Sequence, residues 1–356
     1  MNTPNHDAAH LIEVRQLSTS FRTARGTVRA VDGVSIELDR GKTLGIVGES
    51  GSGKSVFARS MMNLLPPSAQ TRGTVLFNGS DIRRLSRRHL RELWGAQIAM
   101  VFQDPMTSLN PVVKVGRQIT EGLRFHVGQR GPAARERALQ LLADVGIPDP
   151  RSRLDVYPHQ LSGGMRQRVA IAIALACTPA LLLADEPTTA LDVTVQRQIL
   201  DLLQRLQAEL GMAMILITHD LGVAAGRTDE IAVMYAGRVV ERAPTTVLFD
   251  HPRHPYTEAL LSSIPRLEND VHARLNTIPG RPPDLIGVRT GCAFAPRCGF
   301  AQPRCSIEDP ALEPATGRGH VVACFYPVGT ERGAAALAAN ATSVDVRQRV
   351  DAAVTR

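Results

Sequence analysis

Apolar and polar positions alternate in pieces over residues 12–38, with a turn-like stretch at 23–26 between the two runs. That period of two predicts an antiparallel hairpin at the start of the chain. Thr43–Val47 (TLGIV) is a short, wholly apolar strand that runs straight into glycines, and 56–65 then takes helical spacing until Pro66 and Pro67 stop it. Short strands are predicted at 75–77, 98–102, 180–184 and 213–217, a helix at 169–176 and an amphipathic helix over Val193–Leu210. Continuous apolar strands alternating with helices predict a parallel sheet covered on both faces.

Residues 105–160 break this rhythm, being polar-rich, helical in spacing and poor in strand signals, which marks an α-helical subdomain inserted into the main sheet at about 105–165. From about 245 prolines become frequent, cysteines gather and helical periodicity fades. A main domain over 10–245 and a small loop-rich domain over 246–330 are therefore expected, followed by an Ala-rich tail at 331–356 that reads as frayed or flexible. No internal repeat is visible.

The longest apolar run, 169–184, is interrupted by Thr178 and Pro179 and is shorter than the roughly 20 residues a spanning helix needs. It reads as a buried helix end, a turn and a buried strand. The opening MNTPNHDAAH lacks the basic-then-apolar pattern of a signal peptide. The expectation is a chain that does not cross a membrane, so that any transport role needs other subunits. A net charge of +7 admits nucleic acid, an anionic lipid surface or phosphate ligands as partners. The densest basic run, Arg83, Arg84, Arg87, Arg88 and Arg91, reads as a solvated helix face, or as a contact with a membrane partner or lipid head groups.

Three stretches carry chemistry. Gly48-Glu49-Ser50-Gly51-Ser52-Gly53-Lys54-Ser55 fits the phosphate-loop pattern, with a strand before it and a helix after it. Gly48, Gly51 and Gly53 let successive N–H groups turn inward on phosphate oxygens, together with Ser50 and Ser52, while Lys54 reaches the β- and γ-phosphates and Ser55 offers a hydroxyl to Mg²⁺. The 181–186 run LLLADE ends an apolar strand in two carboxylates, with Asp185 aimed at the magnesium shell and Glu186 placed as general base for the attacking water. Leu161-Ser162-Gly163-Gly164-Met165-Arg166-Gln167-Arg168 is a Ser-Gly-Gly turn opening a helix, a second anion-binding N-terminus. One ATP site does not need two phosphate receptors. Two chains facing head to tail do, each lending its Ser162–Gly164 turn to the other's nucleotide.

LSGGMRQR resembles the signature of the ATP-binding cassette (ABC) ATPases, and the likeness extends over about 10–330. It implies an α/β phosphate-loop NTPase fold with a mixed core sheet, and further roles for matching positions. Gln103 in VFQDP would touch Mg²⁺ and sense a membrane subunit, Asp192 in Ala190-Leu191-Asp192 would reach across a dimer, His219 in ITHD would contact the γ-phosphate, and Phe21 would stack on adenine. Lys54, Asp185, Glu186 and His219 all keep the expected residue types, so the resemblance implies Mg²⁺-dependent ATP hydrolysis, with Lys54, Glu186 and His219 catalytic.

GIVGESGSGKS, MVFQDPMTSLNP, HPYTEALLSSIP and CAFAPRC together look like the oligopeptide/dipeptide importer branch. That implies a subunit on the cytoplasmic face of the cell membrane, paired with a second, paralogous cassette and two transmembrane permeases, served by an extracytoplasmic peptide-binding protein, with no nucleic-acid partner. Import of nickel or glutathione, or a soluble ABC ATPase acting on nucleic acid or ribosomes, are the alternative readings. Cys292, Cys298, Cys305 and Cys324 crowd the last fifth of the chain, and four thiolates in a loop-rich segment suit a 4Fe–4S cluster, which the resemblance favours, a zinc site, although the first gap is wider than structural zinc sites commonly have, or plain reduced thiols. His320 is a further ligand candidate or a surface histidine, and Cys177 reads as a small buried hydrophobe.

Overall fold

The structure, a computed structural model, describes residues 9–104, 108–189, 191–264, 278–287, 289–315, 317 and 319–354. The expected hairpin forms as β1 (Ile12–Thr23) and β2 (Gly26–Leu38), and β1 also pairs antiparallel with β4 (Ala69–Phe77), which carries the short β5 (Ser80–Asp81). This is a separate antiparallel sheet. The second sheet holds, in order, β11 (Glu313–Pro314), β12 (Val321–Val322), β10 (Arg238–Pro244), β9 (Glu230–Tyr235), β3 (Thr43–Val47), β8 (Ala213–Thr218), β7 (Leu181–Asp185) and β6 (Ile98–Val101). From β9 to β6 the neighbours run parallel, whereas β9–β10, β10–β12 and β12–β11 are antiparallel.

The wholly apolar strands are explained by burial on two sides, since alternate residues point to opposite faces of a sheet. Leu181, Leu183, Ile215 and Ile217 pack on α1 (Lys54–Met61) and on the inner face of the antiparallel sheet, in one core with Phe57, Met61, Ile12 and Val14. Leu182, Ala184, Met214 and Leu216 face the other way. They join α2 (Val115–Gly122), α3 (Gly131–Asp144), α4 (Gly163–Leu175) and α5 (Val193–Leu210) in a second core with Ile119, Leu142, Ile171 and Ile199. The helical insert thus lies on one face and the antiparallel sheet on the other, and the phosphate loop opens at the end of β3 between them. The arginine-rich stretch is a solvated face with local partners: Arg83 donates to Gly73 and Thr71 carbonyls, and Arg84 and Arg88 pair with Asp81 and Glu92.

Sequence character changes at 245, but the chain does not leave the main sheet there. β12 pairs with β10, so the extension continues the core sheet at its edge. A third core joins Val47, Ile231, Val233 and Tyr235 to Leu248, Tyr256, Leu260 and Phe294, with α6 (Pro255–Ser262) seated in it. Glu331–Val354 is helical where a frayed tail is expected, because an Ala-rich run is a strong helix former.

His320, expected at the surface, is 1 % exposed, and its Nε2 is 2.8 Å from Glu241 Oε1. Glu241, itself fully buried, also accepts from the Arg253 and His254 amides at 2.6 and 2.9 Å. His254 caps α6 by accepting the Tyr256 N–H on Nδ1 at 3.0 Å, and burial pushes its pKa from 6.5 down to about 4. Between those values the unfolded chain binds a proton that the folded chain refuses, so stability falls as pH falls from 6.5 towards 4. The loss should reach about 2 kcal/mol by pH 5. Melting curves from pH 7 to 5 should show it, and His254→Asn, which keeps a capping acceptor without a titratable ring, should flatten the slope.

Candidate functional site

The glycines of the phosphate loop are required by close approach. A Cβ on Gly48 would lie 2.1 Å from the Met234 carbonyl oxygen, and one on Gly53, whose φ is +99°, would lie 2.1 Å from that of Ala30. No other residue fits either place. Lys54 is 4 % exposed and donates from Nζ to the carbonyls of Gly48 and Glu49 at 2.6 and 2.9 Å. Burial lowers its pKa. Ser50 and Gly51 stand exposed at the crest of the loop, and Ser52 Oγ is buried without a hydrogen-bond partner among the described residues.

Ser55 Oγ donates to Asp185 Oδ1 at 2.8 Å. Asp185 is fully buried, its other oxygen has no hydrogen-bond partner among the described residues, and burial raises its pKa. An orphaned buried carboxylate oxygen beside a hydroxyl is a hard-oxygen donor set, the chemistry that suits Mg²⁺. Ser55 and Asp185 would hold the ion, which when bound supplies charge neutralisation to the phosphate oxygens.

Glu186 follows with φ +45°, a strained value for a residue with a Cβ, and its N–H is tied to Ile217 O at 3.0 Å. Its Oε2 accepts from Gln103 Nε2 at 2.9 Å and from Thr189 Oγ1 at 2.9 Å, and lies 3.4 Å from His219 Nδ1. Its Oε1 is 3.9 Å from Lys54 Nζ. Lys54, Ser55, Gln103, Asp185, Glu186 and His219, brought from β3, β6, β7 and β8, therefore converge on one spot. Gln103 bonds Glu186 directly in this arrangement. Thr189 was not anticipated, although a hydroxyl three residues after the carboxylate is a recognisable signal. Tyr256 and Arg297, which contact the loop residue Glu49 from outside the loop, were missed as well.

Other expected positions lie apart. Ser162 Oγ caps α4 by accepting the Met165 N–H at 3.3 Å, and Asp192 Oδ1 caps α5 by accepting the Val195 N–H at 2.9 Å. A Cβ on Gly163 would meet Leu191 at 3.6 Å and one on Gly164 would meet Val195 at 2.8 Å, so the two turns pack on each other. No hydrogen bond joins 162–164 to 48–55 among the described residues. Phe21 is half-buried on β1 opposite Val28 and Ala69. Pro105 and Ala190 lie outside the described residues.

The metal reading of the cysteines is corrected. No group of three or more His, Cys, Asp or Glu side chains able to hold a metal ion occurs among the described residues. Burial raises the pKa of Cys292 and pushes those of Cys298 and Cys324 up to about 12. Cys292 and Cys298 instead pack against the Tyr256–Phe294 core, and the Cys292 N–H donates to the Cys305 carbonyl at 2.8 Å. Neither the 4Fe–4S cluster nor zinc is retained. Cys177 is half-buried against the helical core.

A phosphate loop at the end of β3, a histidine at the end of the neighbouring β8 and a carboxylate pair at the end of β7, the strand beyond it, define a nucleoside triphosphatase of the phosphate-loop class. Residues 31–189 match the family model "ABC transporter", and 240–305 match "Oligopeptide/dipeptide transporter, C-terminal region". The chain is 50 % identical to the dipeptide transport ATP-binding protein DppD of Escherichia coli, over 89 % of this chain and 97 % of that one. It is 53 % identical to the oligopeptide transport ATP-binding protein OppD of Bacillus subtilis, over 82 % of each. The ATP-binding cassette MJ0796, solved as a dimer in a post-hydrolysis state bound to ADP and Pi, superposes with a TM-score of 0.59 at 29 % identity, over 66 % of this chain and 98 % of that one. The chain belongs to the ABC transporter ATPases, in the oligopeptide/dipeptide group.

Proposed function

We propose that this chain hydrolyses ATP to power import of short peptides, as one of two cassettes on the cytoplasmic face of the cell membrane. The observation that carries the reading is the joining of two parts: the convergence of Lys54, Ser55, Gln103, Asp185, Glu186 and His219 on one spot, and an extension of the peptide-transporter type built into the same sheet. Lys54, with Ser50, Gly51, Ser52 and Gly53, holds the triphosphate. Glu186, oriented by Gln103, Thr189 and His219, takes the proton of the attacking water as the phosphorus–oxygen bond to ADP breaks. His219 answers to the γ-phosphate, Phe21 stacks on the base, and Ser162, Gly163, Gly164 and Asp192 serve the nucleotide of the opposing cassette, a paralogous chain. Two permease subunits complete the assembly, with a peptide-binding protein on the far side of the membrane.

An apolar groove of about 270 Å³ supports the membrane partner. Leu64, Trp94, Met100, Phe102 and Leu109 line it, Phe102 is 41 % exposed, and Gln103 follows directly. A short amphipathic helix of a permease fits such a surface, so its movement would be felt at Glu186. No helix among the described residues is long and apolar enough to cross a membrane.

Purification of the tagged chain from its own membranes tests the assignment. Permease subunits and a second cassette of different sequence should co-purify, and recovery of ribosomes or DNA instead would overturn it. Gly163→Asp tests the shared site: it should leave ATP binding to the mutant's own phosphate loop within about threefold but abolish ATP-driven cassette pairing, because a carboxylate then meets the opposing γ-phosphate. Pairing that survives would show that this turn serves no second nucleotide.

A further inference from the structure

A phosphate loop exists to bind four negative charges, yet this one carries a carboxylate at its second position. Every polar group of Glu49 is spoken for. Its carbonyl oxygen accepts from Lys54 Nζ at 2.9 Å, and its N–H donates to Tyr256 Oη at 2.8 Å. Its carboxylate is gripped by Arg297 through two parallel bonds, Nη1 to Oε2 at 2.7 Å and Nη2 to Oε1 at 2.9 Å. Both Tyr256 and Arg297 belong to the extension.

The grip is pre-set. The Arg297 side chain is 4 % exposed, its Nε donates to Pro279 O at 2.7 Å, and its Nη1 donates to Tyr235 Oη at 3.2 Å. Its guanidinium carbon lies 5.9 Å from the ring centres of both Tyr235 and Phe294. Tyr235, Tyr256 and Phe294 form one aromatic cluster, with centroids 4.5 to 5.3 Å apart. A planar fork held this way is ordered before it meets the carboxylate, which a lysine could not reproduce.

We propose that Arg297 and Tyr256 are positioning residues of the nucleotide site. The extension neutralises Glu49 and fixes its amide, so that the loop presents a net cationic cradle. Without Arg297, the Glu49 carboxylate stays on the loop, partly buried and unpaired, and opposes the incoming triphosphate. This account rests on reading 48–55 as the nucleotide loop. It makes the extension part of the ATP site as well as a structural appendage.

The test is a double-mutant cycle in the full chain, reading equilibrium ATP affinity and the melting temperature of the nucleotide-free protein. Arg297→Met should weaken ATP binding about tenfold, the scale of one unscreened charge near the phosphates at an effective dielectric constant of about 20. Adding Glu49→Gln to Arg297→Met should bring affinity back to within about twofold of wild type, because the exposed carboxylate is removed and the net charge of the pair is zero again. Arg297→Lys should lie between wild type and Arg297→Met. An ion pair that merely pins the extension predicts a lower melting temperature with ATP affinity unchanged, or a loss of affinity that Glu49→Gln does not rescue, and either result overturns the proposal. Arg297→Gln carries the cycle if the Met variant does not fold. Lys54→Ala reports on the loop itself. If it binds ATP like wild type, the nucleotide assignment falls and this one with it. If it loses ATP while Arg297→Met does not, only the role of Arg297 is overturned.

Discussion

Glu186→Gln lowers steady-state ATP turnover by roughly a hundred- to ten-thousandfold, the range a positioned general base contributes, and leaves ATP binding in place. Glutamine matches the shape of the side chain and keeps an oxygen to accept from Thr189 or Gln103, each 2.9 Å from the native carboxylate. What it loses is charge and basicity at the one carboxyl that three side chains aim. The phosphate contacts come from other residues, Lys54 and the loop amides, so affinity persists. The measurement pairs phosphate release with equilibrium nucleotide binding. Hydrolysis at the wild-type rate would remove Glu186 from the mechanism, and a parallel loss of binding would move it from chemistry to ground-state recognition.

Where the sequence pattern was one-dimensional, it was legible. Thr43–Val47 and Val193–Leu210 form with the expected bounds, because an apolar strand running into glycine and an amphipathic repeat opened by Asp192 are local signals. The separation into two sheets was not legible. β4 joins β1 across residues far apart in the chain, and no local pattern states which edge a strand will find. The site divides in the same way. Lys54, Asp185 and Glu186 announce themselves by their spacing from strands and glycines, and His219 by the resemblance of ITHD to the family's pattern. Arg297 does not, for its meaning lies in a carboxylate 248 positions earlier.

The cysteines mislead for a related reason. Spacing gives ligand count but says nothing of placement, and among the described residues no three His, Cys, Asp or Glu side chains are grouped to hold an ion. His320 misleads likewise: a lone histidine in a proline-rich segment looks solvent-facing until Glu241 is found buried beneath it.

Lys54→Ala should act on binding where Glu186→Gln acts on chemistry, and the free protein should hardly notice. In the nucleotide-free chain the ammonium is 4 % exposed, and burial has already pushed its pKa down, so its charge is carried at a cost that only two carbonyls and the nearby carboxylates offset. Removing it leaves the Gly48 and Glu49 carbonyls short of a donor but also relieves that cost, so the melting temperature without ATP should move by only a few degrees. The triphosphate then meets a loop without its cation, and affinity should fall by about a hundredfold or more, two or more charge-assisted hydrogen bonds being lost from a partly desolvated site. Linkage gives the decisive readout. At a free ATP concentration near 100 times the wild-type Kd, ligand stabilises the folded state by about 2.7 kcal/mol, and a hundredfold weaker variant keeps about 0.4. The ATP-induced rise in melting temperature should therefore nearly vanish in Lys54→Ala and persist in Glu186→Gln. Equal shifts in the two variants would mean that Lys54 is a structural lysine and that the triphosphate is bound elsewhere.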